Sequence, residues 1–463
     1  MVESKALMVG YNRRSFLKVS GAVLGGIAVG STVTAAASSE RFLVDAKKTS
    51  ASAAEAAGLD VVYDLHEIDT LVVEGSESDV RSLGADYAPD ALYSLDLPVE
   101  ERAPITVEDA ETAESASARD EPYYPLQWDK QAQNVPAAHE ITQGEGTRVA
   151  IIDSGVTASH PDLEHAVNEE LSRNFSGDGL GAGGPYGGYH GTHVAGIVAA
   201  NDDNEVGVVG TAPETELVDC RVFPYHDEGA SFASIVAALV YSARIDSDAA
   251  NLSLGAYPVP KTETKELFGK TIKRATHFAR KQGTLVVVAA GNDAADLQHD
   301  GNLVSVPAEA SNVVSVSATG PIGFNWGADG LESPTYTPAV YTNYGTNAID
   351  VAAPGGNYDP EAYTNETPGW YFDLVLNTVG LYTEFDEDGV PLEESLSTDY
   401  SWVAGTSMAA PQVAGIAALV RSQNPDYHAK AVRKAIRESA TVPEEFDKSY
   451  YGAGVVDAFD ALE

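Results

Sequence analysis

A serine that is to attack a carbonyl needs a base to take its proton and a carboxylate to orient and stabilise that base. The chain offers all three in distinctive settings. Ser407 lies in Gly405-Thr406-Ser407-Met408-Ala409-Ala410-Pro411, ahead of the apolar run Val413 to Val420. A serine at a helix start has backbone N–H groups and the positive dipole end beside it, which favour a developing oxyanion. Pro411 is expected in the first turn or so, where its missing N–H costs little. His190 opens His190-Gly191-Thr192-His193-Val194-Ala195-Gly196, a helix of small residues that can pack deep against a sheet while its first residue faces a cleft. Asp153 follows the run Val149 to Ile152 and precedes Ser154-Gly155. That puts it at the carboxyl end of a strand, where the sites of open parallel sheets lie. Taken singly, Asp153 is one carboxylate among 69 acidic residues, and a turn residue after a strand is its plainer reading. His190 and His193 lack the spacing of a zinc HExxH motif and have no glutamate between them. Spacing alone does not choose between the two histidines.

An alternating fold is needed to bring these groups together. From about Asp120 to Glu463, strand runs at 149–152, 217–223, 249–253, 285–290 and 313–317 are separated by helical stretches such as Phe232 to Ala243 and Thr264 to Gln282. This is the mark of an α/β parallel sheet. Residues 40–97 read as a small α+β unit. Arg41 to Val44, Leu59 to Leu65, Ile68 to Glu74 and Tyr87 to Leu97 are extended, with helices at Ser50 to Ala57 and Ser76 to Leu83. Residues 98–118 are acidic, hold Ala and Ser, and lack apolar periodicity, so a linker open to proteolysis is expected there.

The first 37 residues read as an export segment rather than as part of the fold. Asn12-Arg13-Arg14-Ser15-Phe16-Leu17-Lys18 resembles the twin-arginine motif, a Gly-rich apolar stretch runs to Thr34, and Ala35-Ala36-Ala37 suits a signal peptidase. The stretch is too short and too Gly-rich to span a bilayer comfortably, and no later apolar run is long enough. The protein is therefore expected to be secreted, with no stable membrane anchor. Charge narrows the partners further: 69 acidic residues against 28 Lys and Arg give a net charge of −41. Such a surface repels phosphate backbones and anionic lipids, which excludes nucleic-acid binding from the expectations. The single cysteine, Cys220, rules out an intrachain disulfide and is expected as an inert apolar residue in a buried strand.

The three segments, in the order Asp, His, Ser, resemble the subtilases. The resemblance implies that Asp153 orients the base, that His190 rather than His193 is the base, and that Ser407 is the nucleophile. It implies that Asn292, in Ala289-Ala290-Gly291-Asn292, donates its side-chain N–H to the oxyanion. Ser253-Leu254-Gly255 would pair with a peptide substrate by strand addition, opposite a wall at Pro224 to Gly229. The first specificity pocket would have its floor at Val304-Ser305-Val306-Pro307, beside Ala289 and Ala290, and would carry no charge. No cofactor is implied for the chemistry, but calcium is implied for structure. Asp162 matches a ligating position, and the loop from Asn201 to Val208 would add oxygens from Asp202, Asn204, Val206 and Val208, with Asp120 as a further contributor. The alternative for these groups is a solvated acidic surface. The resemblance covers most of 120–463 and departs from the family at 319–340 and 356–400, which carry Trp326, Trp370, several Tyr and many acids. Loops this long are expected to rim the cleft.

The expectation is thus an α/β protein with a three-layer α/β/α subtilisin-like fold and a mainly parallel sheet, preceded by a small α+β propeptide domain. Its parts are an export segment at 1–37, a propeptide at 38–97, a linker at 98–118 and a catalytic domain at 119–463. It would act as a monomeric secreted serine endopeptidase on polypeptides, restrained by its own propeptide until cut. Its acidity resembles that of exported haloarchaeal subtilases. The competing readings are a narrow-specificity processing protease and a peptide-binding protein of the same fold without catalysis.

Overall fold

The computed structural model describes residues 40–463 except 94, 96, 102, 104–120, 226–228, 262–266 and 326–330. The export segment, Asp120, Trp326 and most of the expected linker therefore lie outside the described residues.

The N-terminal unit is an antiparallel sheet of β1 (Arg41–Asp45), β2 (Asp60–Leu65), β3 (Thr70–Glu74) and β4 (Tyr87–Pro89), in the order β2-β3-β1-β4. Two short helices, Ala51–Ala56 and Glu77–Ser82, cover one face, each capped by the serine before it: Ser50 and Ser76 accept from Ala53 N and Asp79 N. The two-residue strand period divides the apolar side chains. Phe42, Val44, Leu71 and Val73 pack with Ala54 and Val80 under the helices. Leu43 and Val72 face the opposite way, into the core of the larger body.

Two short strands follow, β5 (Leu92–Tyr93) and β6 (Val99–Glu101). The body then contributes β7 (Arg148–Asp153), β8 (Arg173–Asn174), β9 (Glu216–Arg221), β10 (Ala230–Ser231), β11 (Ala249–Leu252) and β12 (Ala256–Pro260). Next come β13 (Leu285–Ala289), β14 (Leu303–Val306), β15 (Val313–Thr319), β16 (Val351–Pro354), β17 (Val375–Tyr382) and β18 (Leu396–Ala404). Seven of these form a parallel sheet in the order β16-β15-β13-β11-β7-β9-β8. Its strands are apolar on both faces because both are covered. Val149 and Ile151 of β7 point to the side packed by helices His190–Ala199 and Thr406–Gln423. Ala150 and Ile152 point to the side packed by helices Phe232–Arg244 and Leu267–Gln282. The result is the expected three-layer α/β/α arrangement.

The segment read as a linker from residue 98 departs from expectation at its start. Val99–Glu101 is the third strand of the sheet β17-β18-β6, paired antiparallel with Trp402, Val403 and Ala404. Burial of the Val99 side chain in the body's core holds it there, and three residues are too few to show a period. Among the described residues no helix is long and apolar enough to cross a membrane.

Candidate active site

Asp153 ends β7 fully buried, and its Oδ1 accepts from Ser154 N and from His190 Nδ1, both at 2.7 Å. His190 is the first residue of its helix, whose start is pinned by Ser154: Oγ accepts from Gly191 N at 2.9 Å and donates to Gly188 O at 2.9 Å. With Nδ1–H given to the carboxylate, Nε2 carries the lone pair, and it makes no hydrogen bond among the described residues. Ser407 is the second residue of the other helix, and its Oγ donates to Ser253 O at 3.2 Å. Proton transfer to His190 thus requires the hydroxyl to turn away from that carbonyl. Pro411 sits in the second turn of this helix, not the first. Lacking an N–H, it leaves the Ser407 carbonyl without its i+4 donor, and Ser253 Oγ supplies one at 2.7 Å. Ser253 and Ser407 therefore exchange two hydrogen bonds.

Thr406 fixes the amide of Asn292. Asn292 Oδ1 accepts from Thr406 N and Thr406 Oγ1, each at 2.9 Å, and Thr406 Oγ1 accepts from Gly291 N at 3.1 Å. The amide nitrogen is left on the nucleophile's side, 3.6 Å from where a Cβ on Gly405 would stand. Asn343 braces the same loop from behind. Its Oδ1 accepts from Asp293 N and Ala295 N, and its Nδ2 donates to Ala290 O and Asp293 Oδ2. Neither Thr406 nor Asn343 emerges from sequence reasoning as a site residue, although Thr406 lies inside the Ser407 segment that does.

Ser253, Leu254, Gly255, Ala289, Gly291 and Ser305 line one pocket with Asn292 and Ser407, as expected. Ala290 does not; it lies fully buried behind the pocket, where its carbonyl accepts from Ser305 Oγ at 3.3 Å. The expectation of an uncharged pocket also needs correction. Asp293 is part of the lining, and Glu309 Oε2 accepts from Ser305 N at 2.7 Å at the floor. Asp293 follows the Asn292 segment into the lining, whereas Glu309 touches the pocket only through Ser305. In the opposite wall, 226–228 lie outside the described residues, and the wall continues as β10.

Lys130 stands behind the site, fully buried, and joins the two helices. Its Nζ donates to Ile197 O and Thr211 Oγ1 at 2.9 Å and to Gln412 Oε1 at 2.7 Å, with Asp129 Oδ2 at 3.5 Å. Burial lowers its pKa to about 8. His193, the other histidine of the motif, is also buried; its Nε2 donates to Ser401 O at 3.1 Å, and burial takes its pKa down to about 3. Cys220 is buried in β9, with its thiol pKa raised by burial.

The two departures from the family pattern go to different places. Segment 319–340 packs toward the C-terminus, where Tyr451 OH donates to Tyr336 O. The second departure contributes β17 and the hairpin to β18, which lies on the His190 helix: Thr378 Oγ1 donates to Thr192 O at 2.9 Å. The approach is so close that a Cβ on Gly196 would meet Asn377 Oδ1 at 2.0 Å. Tyr382 of the hairpin stacks on Tyr186 of the loop leading to His190, with centroids 5.4 Å apart, and Glu393 accepts from both hydroxyls. This part borders the loop that leads to His190, and none of its residues lines the pocket of Ser253, Asn292 and Ser407.

The groups expected to bind calcium are turned on one another. Asp162 Oδ1 accepts from Asn204 Nδ2 at 2.9 Å, and Oδ2 accepts from Val208 N at 3.2 Å. Asn204 Oδ1 accepts from Val206 N, and Val206 O accepts from Tyr400 OH at 2.8 Å. The Asp202 carboxylate points elsewhere, accepting from Gln143 Nε2 at 2.7 Å and lying 3.5 Å from His139 Nδ1. Glu121 accepts from the amides of Asn204, Glu205 and Val206. Burial raises the pKa of Asp162 to about 7. Calcium asks for six to eight converging oxygens. Among the described residues no three His, Cys, Asp or Glu side chains gather to hold a metal. Asn204 turns its N–H rather than its oxygen to Asp162, and the Asp202 carboxylate faces Gln143, an arrangement that does not fit the ion.

A serine at a helix start, beside an anchored amide, with a carboxylate-bound histidine on a parallel sheet, defines a serine hydrolase site. The Subtilase family matches residues 144–454. The chain is 30% identical over 334 residues to Subtilisin BL of Lederbergia lenta, covering 72% of this chain and 96% of that one. It is 28% identical over 440 residues to a thermostable alkaline protease of Halalkalibacterium halodurans, covering 93% and 94%. The solved structure of the epidermin leader peptide processing serine protease from Staphylococcus aureus shares the fold, with a TM-score of 0.68 at 22% identity over 91% and 97% of the two chains. The chain belongs to the subtilase family and is a serine endopeptidase.

Proposed function

We propose that the protein is an exported endopeptidase that cuts its own precursor. Ser407 attacks the peptide carbonyl while His190 Nε2 takes its proton, and Asp153 holds Nδ1–H and stabilises the imidazolium. Asn292 Nδ2 donates to the oxyanion, and the proton on His190 passes to the leaving amine. Water then repeats the cycle on the acyl-enzyme.

The described residues between 92 and 101 carry this reading. β5 pairs antiparallel with β10 on one side of the cleft. Leu95 lines the pocket together with Ser253, Gly255, Asn292 and Ser407. Pro98 Cδ comes within 3.6 Å of a Cβ built on Gly405, and β6 leaves along β18, the strand that runs into Ser407. An extended segment held by strand pairing on both sides of a nucleophile is how a peptide substrate is held. The unit at 40–93 is then the propeptide and intramolecular inhibitor, and the self-cut falls after Leu95, upstream of the 98–120 region where clipping is expected from the sequence. A leucine-ended peptide phosphonate should label Ser407 and stop hydrolysis. Hydrolysis continuing with Ser407 unlabelled would overturn the assignment.

In this reading the Arg13-Arg14 segment directs twin-arginine export, and the mature enzyme is a monomer acting on polypeptides with no nucleic-acid partner. A net charge of −41 makes it dependent on salt. Screening lengths shrink from about 30 Å at roughly 0.01 M to about 3 Å at 1 M, so carboxylates repel across the domain only when salt is low. A second reading, a processing protease of narrow specificity, is favoured by the Tyr186–Tyr382–Glu393 cluster on the loop that leads to His190. A peptide-library cleavage profile separates the two.

A further inference from the structure

We propose that Tyr400 stands where the family's structural cation would, so that loop 201–208 keeps its shape without calcium. The hydroxyl of Tyr400 lies inside the loop rather than on it. A Cβ on Gly207 would fall 2.1 Å from that oxygen and 2.5 Å from Asp162 Oδ2, so the phenol and the carboxylate share the hollow that Gly207 closes. Gly207 has φ +121°, a conformation that side chains disfavour, and only a residue without a Cβ leaves room there. The phenol O–H donates to Val206 O, one of the carbonyls expected to face the ion. The carboxylates beside the loop face N–H groups instead: Asn204 Nδ2 and Val208 N donate to Asp162, and the amides of 204–206 donate to Glu121.

The ring is gripped from two sides. Tyr123 meets it edge-on at 5.2 Å, and Tyr123 N donates to Gly207 O at 2.8 Å. His160 meets it edge-on at 5.3 Å. His160 Nδ1 accepts from Asp162 N, which fixes the tautomer, and Nε2–H donates to Asp399 O next to Tyr400. Tyr400 belongs to β18, in the segment that departs from the family pattern. The contact ties the loop that follows the His190 helix to the strand that runs into Ser407, a tie that a cation within the loop would not make.

The test uses the full-length Ser407→Ala protein, so that self-digestion does not obscure melting. Thermal unfolding is followed in EDTA and in millimolar calcium chloride. The comparison is with the same protein carrying Asp162→Asn, which removes the Asp162 charge that faces the loop and exposes any calcium effect arising elsewhere. Melting of the Tyr400 protein should respond to calcium no more than melting of Asp162→Asn. Tyr400→Phe should lower melting by roughly 1–3 °C, the loss of one hydrogen bond, with or without calcium. Tyr400→Ala should lower it further and acquire a calcium response that Asp162→Asn abolishes. A calcium response already present with Tyr400 in place, and lost in Asp162→Asn, would overturn the proposal. So would a Tyr400→Ala protein that folds and gains no response. Should Tyr400→Ala fail to fold, the comparison between the Tyr400 protein and Asp162→Asn decides.

Discussion

The N-terminal unit and the body beneath it are both sheets covered by helices, yet they are held in different ways. In the body, alternate residues of β7 enter two separate cores, so neither face of the sheet depends on the unit for more than part of its cover. The unit has one face under its own helices and lays the other, through Leu43 and Val72, on the body. Among the described residues its polar side-chain ties to the body include Arg244 to Glu67 and Asp64 O, Arg274 to Asp45 and to the carbonyls of Ile68 and Asp69, and Tyr63 to Phe175 O, several of them partly exposed. Exposed ion pairs contribute about 0–1 kcal/mol each. Asp90 is buried at the start of helix Phe232–Arg244, which Ser231 caps, and its carboxylate accepts from Ser231 Oγ and Ala233 N. On the proposed reading, such a unit folds on the body, seats its tail in the cleft and leaves once the tail is cut.

The comparison can be broken first on the side of the body. Ser407→Ala should lower peptide hydrolysis by about 10⁶-fold, a magnitude taken from removal of the nucleophile in subtilisin rather than from this geometry. Residual activity near a tenth of the parent would reject the assignment. Asn292→Leu should cost roughly 10²–10³ in kcat with little change in KM, again the scale known for subtilisin. A rise in KM alone would make Asn292 a binding residue.

On the side of the unit, Leu95→Asp puts a carboxylate on the wall of the pocket that Asp293 also lines, with Glu309 on Ser305 at its floor. Self-cutting should slow by about 10², while the mature enzyme, which no longer contains residue 95, keeps its full rate. Equal maturation of the two precursors would show that Leu95 does not occupy the pocket at the cut.

The smallest effect concerns acid. His193 is held neutral, with its pKa near 3 instead of 6.5. Between those values the unfolded chain binds a proton that the folded one refuses, so stability rises with pH there and is lost as pH falls through 6.5. The loss reaches at most about 1.4 kcal/mol per pH unit. His193→Gln keeps a donor for Ser401 O and removes the titration. Its urea midpoint, relative to the parent, should move in its favour from pH 7 to pH 5. Asp162 and Asp219, both raised to about 7 by burial, act in the opposite sense in both proteins and cancel in the difference. A constant difference would contradict the assignment.

The sheet, its helices and the Asp153, His190 and Ser407 segments are legible in the sequence because each is a local pattern: apolar runs of strand length, and helices of small residues behind a polar first position. What stays hidden depends on partners far along the chain. Asn343 braces Ala290 across 53 positions, and Lys130 reaches Gln412 across 282. A lysine without a motif gives no sign of being buried. β5 and β6 are too short to carry a period, so the tail's path through the cleft appears only with the fold. The loop at 201–208 is oxygen-rich in sequence, but which way its oxygens turn depends on Tyr400, nearly two hundred residues later.

The central claim is that the body cuts the tail seated in its own cleft. Intact mass and N-terminal sequence of the purified protein, with and without Ser407→Ala, test it most directly. The account predicts a mature chain beginning at Asp96 from the parent and an uncut precursor from Ser407→Ala. A Ser407→Ala protein cut at that same bond would contradict it, because another protease would then be doing the work.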